Sequence, residues 1–117
     1  MTTHTIAKNW LAAFNEHNLE NLLSLYHENA EHFSPKLKLR DPKSEGKIKG
    51  KAAMRNWWKD AFDRLPELTY KEVTITADDD RVFMEYTRIV PAEENMNVAE
   101  VLEIKDGLIV ASRVYHG

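Results

Sequence analysis

The hydrophobic period of this chain changes once, at Pro66, and that change decides most of what it can become. Before Pro66 the apolar residues recur at helical spacing; after it they alternate. Met54, Trp57, Trp58, Ala61, Phe62 and Leu65 fall at i, i+3, i+4, i+7, i+8 and i+11, a wide apolar stripe. Gly50 precedes that helix and Pro66 stops it. Leu68 to Thr76 and Arg81 to Val90 then read as strands, rich in β-branched residues and separated by the acidic turn Asp78-Asp79-Asp80. Pro91 ends the second of them. Residues 92 to 97 form a polar loop. A final hairpin runs from Asn97 through Asp106-Gly107 to His116, where glycine supplies the positive φ of a tight turn.

The N-terminal part supplies more helices. Ile6, Trp10, Ala13 and Phe14 mark a helix over residues 4 to 16. Asn15-Glu16-His17-Asn18 breaks it, and Asn18 suits the N-cap of a second helix with Leu19, Leu22, Leu23 and Tyr26 on one face. Ala30 to Ser34 reads as a brief strand before Pro35, and residues 35 to 50 as a polar loop with one irregular strand. Three helices with a short strand among them, then four antiparallel strands, predict a single α+β domain over residues 1 to 117. The helices must cover one face of the sheet, and a twisted sheet curled around helices leaves a cavity.

Composition narrows the function classes. There is no cysteine, which removes disulfides, zinc-thiolate sites and a cysteine nucleophile. No apolar run is long enough to span a bilayer, and the first residues carry no secretory pattern, so a soluble cytoplasmic protein with no membrane partner is expected. Of the 16 bases and 19 acids, seven bases lie between Lys36 and Lys51 with only Asp41 and Glu45 against them; this leaves 9 bases against 17 acids elsewhere. So acidic a body argues against nucleic-acid binding. The basic window reads either as a solvated loop or as a means of steering an anionic small molecule. No metal-ligating spacing, phosphate loop or nucleophile elbow occurs, and no cofactor or metal is expected.

Two stretches and a hairpin resemble a known family. Ala12 to Tyr26 resembles the helix-helix opening of SnoaL-like and ketosteroid-isomerase-like proteins of the nuclear transport factor 2-like superfamily. Gly50 to Trp58 is similar to that family's glycine and third helix. Asp106-Gly107-Leu108-Ile109, with Arg113 and Tyr115, is similar to its closing hairpin. The resemblance implies a cone-shaped curved antiparallel sheet wrapped around three N-terminal helices, a cystatin-like α+β barrel with an internal pocket. It also implies a homodimer through the outer sheet face, and a small hydrophobic organic ligand. Where the steroid isomerases place a general-base aspartate before a proline, this chain has Ser34; where they place a tyrosine donor, it has Trp10. Where related cyclases carry a late carboxylate, it has His116.

The residues themselves offer candidates. His32 and His116 are expected as general bases, since an imidazole titrates near neutral pH. The competing readings are a polar lining residue for His32 and a frayed terminal residue for His116. Ser112, Val114 and His116 share one face of the last strand, and His32 and Ser34 one face of the first. Met84, Tyr86 and Arg88 share a third face, where a hydroxyl or guanidinium could fix a carbonyl or carboxylate, unless Arg88 snorkels from the strand end. Glu100, in phase with Leu102 and Ile104, is the candidate for a buried carboxyl with a raised pKa. Trp10, Trp57 and Trp58 read as core by default, and with Phe14 they are also the candidates for an apolar wall; being 100° apart, Trp57 and Trp58 are expected to serve different surfaces, one lining the pocket and the other packing on the sheet. The chemistry expected is cofactor-independent isomerisation, cyclisation or hydrolysis, with Tyr86, Trp10 or Ser34 stabilising an oxyanion. The alternative is a non-catalytic ligand-binding or protein-association module.

Overall fold

The computed structural model describes residues 1–117. A curved six-stranded sheet wraps four helices in an α+β arrangement. Helix α1 (Thr3–Asn15) starts at Thr2, whose side chain accepts from the Thr5 amide. It buries Ile6, Ala7, Trp10, Leu11, Ala13 and Phe14. Helix α2 (Leu19–Ser24) is capped by Asn18, which accepts from the Asn21 amide. Between them His17 takes φ 53° and reaches the Leu68 carbonyl oxygen at 2.8 Å, which tethers the turn to the segment before β3.

Helix α2 stops earlier than its apolar face suggests. The Leu25 carbonyl accepts from the Ile109 amide at 2.8 Å, and Tyr26 opens strand β1 (Tyr26–Phe33). The sheet ladder captures the backbone there, so the first strand has eight residues where a brief one was expected. It pairs in parallel with β6, which corrects the purely antiparallel expectation. The segment after it is more ordered than a loop: helix α3 (Pro35–Arg40), a 3-10 turn (Pro42–Ser44) and strand β2 (Lys47–Lys49). Gly46 closes this excursion at φ +80°. Its carbonyl accepts from the Ser34 amide, and a Cβ there would lie 2.6 Å from the Phe33 ring.

Helix α4 (Lys51–Arg64) buries Met54, Trp58 and Phe62, a narrower line than the stripe in the sequence. Strands β3 (Thr69–Ala77), β4 (Arg81–Ile89), β5 (Met96–Lys105) and β6 (Leu108–His116) form the expected antiparallel meander. The sheet order is β2-β1-β6-β5-β4-β3. Val82, Met84, Tyr86 and Arg88 are the buried phase of β4. At the free edge, Asn15 bonds both the amide and the carbonyl of Tyr70, at 2.7 and 2.8 Å, which fixes where β3 begins. No helix is long and apolar enough to cross a membrane.

Candidate functional site

The sheet and helices enclose a cavity of about 350 Å³, within the size range of small-molecule sites. Its aromatic wall comes from α1 and from β3 and β4. The Phe14 and Tyr70 rings stack at 4.0 Å, Tyr70 and Tyr86 at 4.1 Å, and Trp10 and Phe14 at 5.3 Å. Trp58 closes the opposite side, 5.2 Å from the His32 ring.

Two polar groups are set into this wall. The first is Glu100, 1% exposed and directly opposite Met84 in the β4–β5 pairing. Tyr86 donates to Glu100 Oε1 at 2.7 Å, while Oε2 is enclosed and has no hydrogen-bond partner. Burial pushes the Glu100 carboxyl up to about 8, against a smaller downward pull from the Tyr86 hydroxyl. At neutral pH the group is therefore mostly the neutral acid. Since Oε1 accepts from Tyr86, the acid proton sits on Oε2. Burial also raises the Tyr86 phenol, with the Glu100 charge adding to it.

The second group is a relay that starts on α1. Trp10 Nε1 donates to the Tyr26 hydroxyl at 3.1 Å, and that hydroxyl donates to Ser112 Oγ at 2.9 Å. Ser112 Oγ lies 2.6 Å from His32 Nδ1. The parallel register that places His32 beside Ser112 makes this contact. An indole N–H can only donate, so the Tyr26 hydroxyl accepts from Trp10 and is free to give its own proton onward. The Tyr26 proton goes to Ser112, and the Ser112 proton has His32 Nδ1 as its acceptor. This bonding pattern assigns the Nε2–H tautomer to neutral His32. His32 Nε2 makes no hydrogen bond and is not enclosed, so it faces the cavity. Burial lowers the His32 pKa to about 4, which keeps the ring neutral at pH 7. The two groups meet where His32 Nδ1 lies 4.0 Å from Glu100 Oε2. Both are uncharged at neutral pH, so this end of the cavity carries little net charge.

Most sequence candidates border the cavity: Trp10, Phe14, His32, Ser34, Trp57, Trp58, Tyr86, Arg88, Glu100, Val114 and His116. The expectation that Trp57 and Trp58 serve different surfaces does not hold. The cavity curls around α4, with Trp58 inside and Trp57 near the mouth under the Arg40 guanidinium, 5.5 Å from its ring. Met84 and Ser112 do not reach the cavity. Met84 is fully buried in the core, and Ser112 lies behind His32 as its hydrogen-bond partner. His116 is exposed at the mouth, four residues beyond Ser112 on β6, or about 13 Å along the strand. Its pKa is lowered by partial burial, then by Lys36 and Arg88. Arg88 is not a snorkelled edge residue; it is 6% exposed and points inward. Two residues were missed. Tyr26 was assigned to a helix face, and Tyr70 is visible only once Asn15 fixes the edge strand.

Residues 7–112 match the SnoaL-like domain family. No curated protein matches the chain in sequence. Among solved structures, a SnoaL-like protein of unknown function from Burkholderia thailandensis superposes with a TM-score of 0.87 at 23% identity, covering 97% of this chain and 92% of that one. An uncharacterized cystatin-fold protein from Novosphingobium aromaticivorans gives 0.83 at 18% identity, covering 98% of each. A protein with a ketosteroid isomerase-like fold from Catenulispora acidiphila, in complex with trimethylamine, gives 0.76 at 16% identity, covering 98% and 86%. At these identities the likeness is one of fold.

Proposed function

The chain belongs to the SnoaL-like domain family, and on that premise we propose that it binds a small hydrophobic organic molecule and moves a proton on it without a cofactor. The observation that carries this reading is the buried Glu100 carboxyl, with one oxygen held by Tyr86 and the other unpartnered beside His32. A native protein rarely leaves such an oxygen orphaned without a use for it. Glu100 is the general acid/base, because a pKa of about 8 suits proton transfer in both directions near neutral pH.

His32 takes a different part from the base expected of it. Its cavity-facing nitrogen carries the proton, so neutral His32 donates to a carbonyl oxygen or developing oxyanion. The Ser34 hydroxyl, which borders the cavity and has no protein partner, is a second donor. Abstraction of a proton α to a carbonyl by the ionised fraction of Glu100, followed by its return elsewhere from the Glu100 acid so formed, is the reaction this set supports best. His116, at the mouth, is left out of the proton transfer.

The pairing surface is the outer face of the sheet. There Phe83, opposite Val101, and Tyr115, opposite Ala99, are 43% and 49% exposed. Two copies joined there would leave both cavities open on the other side.

The enzymatic reading is tested with a panel of cyclic ketones in deuterated buffer, following deuterium uptake at the α carbon by mass spectrometry. Uptake should depend on the protein and be lost in Glu100→Gln, with ketone binding retained. Binding without uptake from any ketone would leave a ligand carrier and reject the enzyme.

A further inference from the structure

The cavity mouth contains a charge that the proton-transfer reading does not use. Arg88 follows Tyr86 by two residues on the inward phase of β4, about 7 Å nearer the mouth. Its side chain is only 7% exposed, yet it makes one hydrogen bond, from Nη1 to Glu93 Oε1 at 2.8 Å. A guanidinium has five N–H donors, and no nitrogen of Arg88 is both enclosed and unpartnered. The unused donors therefore open onto the cavity that Arg88 lines.

The partner is half-exposed. Glu93 sits on the short turn between β4 and β5, where its amide donates to the Val90 carbonyl, and its side chain is 47% exposed. Its carboxylate can return to water once another anion takes its place on the buried guanidinium. Other bases surround the pair. Lys36 borders the same space and has no salt bridge of its own, while Arg64 and Arg40 lean on Asp60 at 2.8 and 4.0 Å. The Lys36 ammonium is held below its ordinary pKa by burial, then by Arg88 and Arg64, with Glu93 pulling the other way. The mouth thus has more positive charge than Glu93 offsets, above an uncharged aromatic floor.

We propose that the molecule taken into this cavity is a hydrophobic carboxylic acid, whose carboxylate displaces that of Glu93 from Arg88. The inference rests on the ligand-binding reading above and narrows it. The planar fork of Arg88 matches a carboxylate in two-point geometry, and Glu93 already occupies one of those points. With the head anchored on Arg88, the apolar body lies along the Phe14, Tyr70 and Tyr86 rings. Glu100, opposite Met84, lies four residues beyond Arg88 in register, or about 13 Å along the strands, so a body of that reach brings a reacting group to Glu100 and His32. Glu93 keeps the guanidinium partnered until the ligand arrives.

The test compares 2-naphthoic acid with 2-naphthamide, which share a ring system and differ in charge, by quenching of the cavity tryptophans at pH 7. Wild type should bind the acid at least about tenfold more tightly than the amide. Glu93→Gln removes the competitor from an exposed position, and should tighten the acid severalfold with the amide unchanged. Arg88→Met should erase the acid's advantage while amide binding persists, and Arg88→Lys, which keeps the charge in case the methionine variant does not fold, should retain only part of it. Equal binding of the two probes to wild type, or an acid preference insensitive to both Arg88→Met and Glu93→Gln, overturns the inference and leaves the apolar pocket standing. Failure of both probes to bind wild type overturns the pocket reading together with it.

Discussion

Tyr86 and Glu100 form a hydrogen bond of 2.7 Å inside the sheet, and it uses only one oxygen of the carboxyl. Tyr86 lies opposite Val98 and Glu100 opposite Met84, so the pair is a diagonal contact between neighbouring antiparallel strands. The other oxygen is enclosed without a partner. An acid so placed must stay largely protonated in the native state, and several measurable properties depend on that.

The first is stability against pH. Native Glu100 titrates at about 8 against an ordinary 4.5, so it holds its proton longer in the folded state. Its contribution is intact below about pH 4.5, declines as pH rises, and is lost above 8. His32 has the opposite sign. Its native pKa is about 4 against 6.5, so stability is lost as pH falls through that window. The two slopes oppose each other between 4.5 and 6.5, and Glu100 alone remains from 6.5 to 8. Over that upper range wild type should lose about 2 kcal/mol relative to Glu100→Gln, measured by urea denaturation at several pH values. Parallel curves for the two proteins would contradict this.

Ser112 joins the Trp10–Tyr26 limb to His32. Ser112→Ala leaves the Tyr26 hydroxyl and His32 Nδ1 without their buried partner. The expected cost is about 2–6 kcal/mol, since each of the two orphaned buried groups costs about 1–3. Nitrogen-15 NMR should show His32 as the Nε2–H tautomer in wild type and as a mixture in the variant. A wild-type ring protonated at Nδ1 would refute the direction read from Tyr26 through Ser112.

Tyr86→Phe removes the one donor to the carboxyl. That hydroxyl pulls the Glu100 pKa down, so its loss should move the carboxyl titration further upward. Stability at neutral pH should fall by about 1–2 kcal/mol. A downward move of the titration would mean that Tyr86 is not the group bonded to Glu100 in solution.

The outer sheet face gives a prediction of its own. Light scattering at high micromolar concentration should return twice the mass of the chain, and a Phe83→Glu/Tyr115→Glu double variant should return the monomer. Both side chains are exposed on the face away from the cavity, so the variant should keep its ligand binding. A monomeric wild type rejects the pairing.

The change of period at Pro66 carried the meander and the long helix, because alternation and 3.6-residue spacing are read directly from the residues. The order of elements and the twist of a sheet predicted the cavity, and the family resemblance added the cone shape. Tyr26 was misplaced because Leu19, Leu22, Leu23 and Tyr26 satisfy a helical face. Only the long-range bond from the Ile109 amide to the Leu25 carbonyl ends the helix before it. Helix α3 was invisible for a related reason: in six residues with no fully buried side chain, no periodicity can emerge. The inward phase of β4 and β5 was legible, which is why Tyr86, Arg88 and Glu100 could be named. The roles within the site were not legible. Whether His32 accepts or donates depends on Ser112, Tyr26 and Trp10, on three separate elements that only the folded register brings together.

The central claim is that Glu100 is a neutral acid at neutral pH, poised to exchange its proton. Infrared difference spectroscopy of wild type against Glu100→Gln, titrated from pH 5 to pH 10, reads its protonated carbonyl band directly. A band assigned to Glu100 that persists at pH 7 and disappears with a midpoint near 8 is the predicted result. A carboxyl already ionised at pH 6 would contradict the account.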